Sequence, residues 1–311
     1  MSQPPRLQGL LAPVVTPFQS DMAPDAGRFV RHCRWLLDSG CAGLAIFGTN
    51  SEANSLSAAE KIALMDRLVA EGIPGDRLMP GTGACSVPEA VQMTSAALKV
   101  GAAGVLMLPP FFYKGVPDEG LFRYYSQVIE GVGDAALRVY LYHIPPVSQV
   151  PISLPLIERL VKAYPDTVVG LKDSSGDWNY SKSVIEGFAA TGFDVFPASE
   201  TLLLRGLRAG GKGCITATGN INPGPISRLY DNWQGPDAEA LQHQVARTRE
   251  LVQKYSMIPA LKAIIAHFSQ DPAWRPVRPP LVELPADQEN ELLRQLTEQG
   301  FDMPGIRGAA A

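Results

Sequence analysis

Eight short apolar runs, helix-forming segments between them, and a C-terminal stretch without further strands predict an α/β fold: a (β/α)8 barrel with a C-terminal helical extension. The runs are residues 10–18 (LLAPVVTPF), 43–48 (GLAIFG), 78–83 (LMPGTG), 104–110 (GVLMLPP), 139–145 (VYLYHIP), 168–174 (VVGLKDS), 193–199 (FDVFPAS) and 213–220 (GCITATGN). Each is nearly continuous in apolar residues, as strands covered on both faces are. An open doubly wound sheet is the alternative; length and strand count favour closure.

Helix starts are marked between the runs. Ser57-Ala-Ala-Glu60 and Ser86-Val-Pro-Glu89 read as capping boxes, in which the serine caps one orphan amide and the glutamate reaches back to another. Pro117-Asp118-Glu119 and Ser153-Leu154-Pro155 open two more helices. After Asn220 only helical patterns follow: ISRLYDNW, AEALQHQVARTRELVQKY, MIPALKAIIAHF and ENELLRQLTEQG, with a proline-rich stretch, residues 274–285, joining the last two. The division expected is a catalytic barrel over residues 1–222 and a helical region over 223–311, with residues 305–311 frayed.

Composition narrows the function. The 311 residues are 46% hydrophobic and 19% charged, which excludes a disordered or fibrous chain. A net charge of −4 lacks the basic excess of a nucleic-acid binder. The apolar runs fall short of the roughly 20 residues that span a membrane, and MSQPPRLQGLL lacks the basic and apolar regions of a signal peptide, so a cytoplasmic protein is expected. Cys33, Cys41, Cys85 and Cys214 are too sparse for a disulfide scaffold. His32, His143, His243 and His267 form no ligand pair, and no metal site is expected. Residues 206–213 resemble a phosphate loop but end in glycine and precede a strand; residues 81–86 hold only two glycines of a dinucleotide fingerprint.

Barrel enzymes work where the strands end, which directs attention to Thr49, Asn50, Tyr142, Lys172, Glu200 and Thr218. Lys172 lies inside an apolar strand, where burial lowers a lysine pKa and frees an amine that can attack a ketone. The plainer reading is a lysine reaching the strand end or paired with Asp173. Tyr142 can relay protons if its hydroxyl finds a polar partner; otherwise it is a core aromatic. Gly48-Thr49-Asn50-Ser51-Glu52 can present amides to a carboxylate, or can be a helix-leading turn in which Ser51 or Asn54 satisfies amides.

Taken together, GTNSE, YHIPPVS and GLKDSSGD, at the ends of the second, fifth and sixth runs, resemble the dihydrodipicolinate synthase / N-acetylneuraminate lyase family, over nearly the whole chain. The resemblance implies a barrel with C-terminal helices, assembled as a tetramer built as a dimer of dimers, and a lysine Schiff base with pyruvate or another 2-oxo acid that needs no metal or cofactor. It implies that Lys172 is the Schiff-base lysine and Tyr142 the proton-shuttling tyrosine. Thr49 would link that tyrosine onward, amides near Thr49 and Asn50 would hold the carboxylate, and the Ile215 backbone would lie near the pyruvate methyl.

The departures fall at several points: the family's usual second threonine or glycine positions in the turn are Asn50 and Ser51 here. The relay tyrosine that the synthases take from a neighbouring subunit aligns with Phe112, so either Tyr113 substitutes or the relay is shorter. The arginine that clamps aspartate semialdehyde is Val147 here, with Lys114 the nearest replacement, and aspartate semialdehyde is expected to be a poor partner. The sialic-acid lyases hold sugar hydroxyls with two acids after the seventh run, where this chain has Glu200-Thr201. The expected activity is therefore a Schiff-base lyase or aldolase joining or splitting a 2-oxo acid and an aldehyde. The alternatives are the synthase itself, a 3-deoxy-2-oxo sugar acid dehydratase, a catalytically silent 2-oxo-acid sensor, and a metal-dependent aldolase.

Overall fold

The computed structural model describes residues 6–307. Its strands are β1 (Gly9–Ala12), β2 (Gly43–Leu44), β3 (Val105–Met107), β4 (Val139–His143), β5 (Val168–Asp173), β6 (Asp194–Pro197) and β7 (Gly213–Ile215). Every pairing is parallel, in the orders β2-β1-β7 and β3-β4-β5-β6.

The predicted strand at residues 78–83 joins these two groups, but only through single bridges, Leu44 to Leu78 and Gly81 to Leu106. Pro80 has no amide to give a ladder. Gly81 lies so close to the next backbone that a Cβ would stand 2.2 Å from Phe47 O, so a regular side-chain-bearing strand cannot pass here. On the other side, the Lys212 amide donates to Val195 O at 3.0 Å and closes the ring. The first predicted strand also ends early, at Ala12, because Pro13 and Pro17 interrupt its ladder.

The eightfold count survives in the packing. One residue from each barrel segment, Leu11, Ala45, Met79, Leu106, Tyr140, Val169, Phe196 and Ile215, joins one buried cluster inside the barrel. A second cluster fills the layer between strands and helices and continues into the C-terminal helices.

The outer helices are α1 (Ala26–Asp38), α2 (Ala58–Ala70), α3 (Val87–Lys99), α4 (Asp118–Val132), the single turn α5 (Pro145–Ser148), α6 (Leu154–Ala163), α7 (Trp178–Phe188) and α8 (Leu203–Ala209). Ser57 and Glu60 complete their capping box. At α3, Ser86 caps the Glu89 amide, but the return bond is not made; the Glu89 charge acts on Lys61 instead. Then come α9 (Pro223–Asp231), α10 (Ala238–Val252), α11 (Met257–Ser269) and α12 (Ala286–Glu298). The expected frayed end is packed as far as it is described: Ile306 is buried, and Trp35 Nε1 donates to Pro304 O at 2.8 Å. The remaining tail and the first five residues lie outside the described residues.

The sequence patterns did not reveal a buried ion pair between the C-terminal region and the barrel. Lys262 of α11 donates to Glu52 at 2.5 Å, and both side chains are fully buried. Lys262 Nζ also donates to Pro276 O at 2.7 Å, and Glu52 accepts from the Arg278 amide at 2.7 Å. Burial lowers the Lys262 pKa to about 8 despite the Glu52 charge. Lys262→Met strands Glu52 without its cation. It should lower the unfolding free energy by about 3–5 kcal/mol in urea titration, and Glu52→Leu added to it should recover much of that loss. A single variant as stable as the parent would show that the pair anchors nothing.

Candidate active site

The turn after β2 carries three features of the site. Phe47 and Glu52 bracket it at φ of 58° and 56°, a left-handed backbone that side-chain-bearing residues adopt only under constraint. Between them Thr49–Ser51 forms one 3-10 turn. Ser51 Oγ donates to Val14 O at 2.5 Å, and Thr16 Oγ1 donates to Ser51 O at 2.8 Å, tying the segments after β1 and β2 together. The Ser51 and Glu52 amides go to Gly48 O and Thr49 O, and among the described residues nothing accepts from the Thr49 and Asn50 amides. The turn therefore presents Thr49 and Asn50 to the space above the barrel.

Strand register supplies the other half. Tyr142 stands two residues beyond Tyr140, which faces the barrel interior, and so points the same way. The parallel pairing of β4 with β5 sets Lys172 beside Tyr142. Lys172 Nζ lies over the Tyr142 ring, 4.2 Å from its centroid, and Tyr142 Oη shares a hydrogen bond with Thr49 Oγ1 at 3.2 Å. Lys172 is only 4% exposed.

Asp173 faces away from Lys172. Its carboxylate accepts from Ser181 Oγ at 2.5 Å and from the Ser175 amide at 2.8 Å, so it does not neutralise the lysine. Burial alone would raise the pKa of the Tyr142 hydroxyl. The Lys172 charge, with hydrogen bonds from Thr49, Ser174 and Lys172, outweighs it and holds Tyr142 below the usual tyrosine value.

A cavity of about 330 Å3 brings Thr49, Asn50, Tyr142, Lys172 and Ile215 together. Val147 is on its rim, 61% exposed. A separate cavity of about 400 Å3, walled by residues of α1, α9 and α10, contains none of these.

Five expected participants lie outside this cavity. Glu200 is fully buried, and its carboxylate accepts from the Thr216 and Thr218 hydroxyls, so it braces the turns after β6 and β7 from behind the cavity wall. Thr218 is committed to that bond. Phe112 and Tyr113 stand 72% and 73% exposed, edge to face with each other, outside the cavity. Lys114 donates to Phe111 O and, at 2.7 Å, to Ser148 O, which ties its loop to α5.

Sequence reasoning missed three polar residues in the cavity wall, Ser174, Ser199 and Arg249. Ser174 had a signal: it follows Lys172 by two residues and so shares its face. Arg249 comes from α10, where no local motif marks it. Among the described residues, no three His, Cys, Asp or Glu side chains gather as a metal site, and no helix is long and apolar enough to cross a membrane.

A buried lysine beside a strand-end tyrosine, at the C-terminal mouth of a (β/α)8 barrel, marks a class of lyase that works through a lysine Schiff base. The chain belongs to the dihydrodipicolinate synthetase family, whose model matches residues 6–299. It is 33% identical over 295 residues to an uncharacterized DapA-like lyase of Chloroflexus aurantiacus, covering 94% of this chain and 96% of the relative. The crystal structure of dihydrodipicolinate synthase from Agrobacterium tumefaciens superposes with a TM-score of 0.86 at 29% identity, covering 94% of this chain and 99% of that one. A chloride-inhibited dihydrodipicolinate synthase from Acinetobacter baumannii, solved with pyruvate, superposes at 0.84 with 26% identity, covering 95% and 99%. The protein is a lysine Schiff-base lyase of this family.

Proposed function

We propose that Lys172 attacks the C2 carbonyl of pyruvate or a related 2-oxo acid, releasing water and forming a protonated imine. The imine accepts the electron pair left when a proton departs from C3 or when the C3–C4 bond breaks. The resulting enamine adds to an aldehyde in the synthetic direction, and water then returns Lys172. The single observation that carries this reading is the Lys172 amino group, buried over the Tyr142 ring and, among the described residues, in no ion pair with a carboxylate.

Tyr142, bonded to Thr49, is the acid/base that moves protons at the carbonyl and carbinolamine oxygens. The Thr49 and Asn50 amides hold the 2-oxo acid carboxylate, and the Ile215 backbone lies beside its methyl. The catalytic unit in this reading is the barrel, residues 1–222, and residues 223–311 supply Met257 and Arg249 to the cavity wall. The exposed Phe112–Tyr113 pair favours a homo-oligomer, a tetramer built as a dimer of dimers, in which a partner covers this loop. A cytoplasmic location agrees with this chemistry.

The test needs no knowledge of the aldehyde. Pyruvate incubated with the enzyme in D2O should exchange its methyl protons for deuterium, because imine and enamine interconvert. Proton NMR should show the methyl signal decaying at a rate that EDTA leaves unchanged. A methyl signal that decays no faster than without enzyme would remove the Schiff-base reading. EDTA-sensitive exchange, restored by zinc or magnesium, would favour a metal-dependent aldolase.

A further inference from the structure

The cavity of about 400 Å3 between α1, α9 and α10 shares no residue with the one around Lys172. The start of α9 brings Asn222, Pro225 and Arg228 to it, three residues apart on one face. On α10, Gln244, Arg247 and Thr248 stand at the same helical spacing. The segment after α12 closes the remaining side, and it is pinned: Trp35 Nε1 donates to Pro304 O at 2.8 Å, and Met303 and Ile306 are buried. The volume lies within the roughly 300–1,000 Å3 of small-molecule sites.

The polar groups of this wall lack partners. Asn222 is 5% and Thr248 7% exposed, yet among the described residues neither side chain makes a hydrogen bond. Their polar atoms are open to solvent, unlike the sealed Arg249 Nη1. Thr297 in α12 bonds the carbonyl four residues back, Leu293 O, at 2.8 Å; Thr248 makes no such bond. A buried amide or hydroxyl in that state is costly until water or a ligand satisfies it.

Arg228 and Arg247 are also uncommitted. Among the described residues neither makes a hydrogen bond or ion pair, whereas Arg28, Arg275, Arg278 and Arg294 each hold a carboxylate. Asp302 is the one acid of the wall; its Oδ1 accepts from the Met303 amide at 2.8 Å, which leaves the other oxygen as an acceptor. Ser39, Gln244 and Gln299 add hydroxyl and amide groups that no other side chain engages.

We propose that this cavity binds a small polyhydroxylated anion, with a phosphate or carboxylate head on Arg228 and Arg247 and hydroxyls that satisfy Asn222, Thr248 and Asp302. A guanidinium fork matches the paired oxygens of either head. Side-chain amides and hydroxyls both donate and accept, as sugar hydroxyls do. The site is separate from Lys172, and the inference does not depend on the Schiff-base reading.

Isothermal titration calorimetry of the full chain with glucose 6-phosphate, gluconate and glucose compares a phosphate head, a carboxylate head and no charge on closely similar bodies. At least one anion should bind with a Kd below about 1 mM, and glucose at least roughly 10-fold more weakly. The tighter anion identifies the head. Arg228→Met and Arg247→Met should each weaken that anion by roughly 10- to 100-fold, and Arg228→Lys and Arg247→Lys by less, because charge remains without the fork. Thr248→Val should weaken it by roughly 3- to 10-fold. Circular dichroism spectra should match wild type, since both arginines are exposed and unpaired. No binding of either anion, or glucose binding as tightly, would overturn the inference. Binding that survives both arginine-to-methionine changes would overturn it too. So would binding abolished by saturating pyruvate, since the probe would then occupy the catalytic cavity.

Discussion

Lys172→Ala is expected to lower pyruvate exchange and carbon–carbon bond chemistry by roughly 10⁴–10⁶-fold, with no loss of folding. The size follows from the role: without the amine no imine forms, and the Thr49 and Ser174 hydroxyls beside Tyr142 cannot replace an amine. Folding survives because the side chain ends at the open mouth of the barrel and Asp173 does not depend on it for a partner. The check pairs the exchange rate with urea denaturation. Exchange above one hundredth of wild type, in a folded variant, would return Lys172 to the role of a strand-end lysine.

Tyr142→Phe is expected to cut turnover by roughly 10²–10⁴-fold, the usual contribution of a positioned acid/base. Only a hydroxyl is removed, and the ring still fills its place beside Lys172. The pH profile carries a second signature. Tyr142 is held below the ordinary tyrosine value, so its proton is lost earlier as pH rises, and the alkaline limb of the rate profile should begin below about 10. That limb should vanish in Tyr142→Phe. Thr49→Val should keep the limb but move it upward, because one hydrogen bond that stabilises the tyrosinate is gone. Near-normal turnover in Tyr142→Phe would leave Tyr142 a core aromatic.

The fold and the meeting of Lys172 with Tyr142 were legible because both are written locally. Each barrel segment announces itself as a short apolar run, and each strand-end residue follows from its place in that run; register then sets Lys172 beside Tyr142. Most of the failures concern contacts between distant segments. Glu200 follows a strand just as Lys172 and Tyr142 sit at strand ends, but its direction is set by Thr216 and Thr218, which only the closed barrel brings near. The Lys262–Glu52 pair joins positions 210 residues apart, and a lysine in MIPALKAIIAHF carries no mark of a partner in GTNSE. Arg249 sits in a helix rich in charged and polar residues and differs from its neighbours only by facing the cavity. The third barrel segment kept its position in the ring but lost its ladder to Pro80 and to the close approach at Gly81.

The measurement that bears most directly on the central claim is mass spectrometry of the protein after borohydride reduction in the presence of pyruvate. An imine is reduced to a stable secondary amine, whereas an ammonium is untouched. The account predicts one added pyruvate-derived group per chain, mapped by peptide sequencing to Lys172 and absent from Lys172→Ala. An adduct that persists in Lys172→Ala, or no adduct with pyruvate or any other 2-oxo acid, would contradict it.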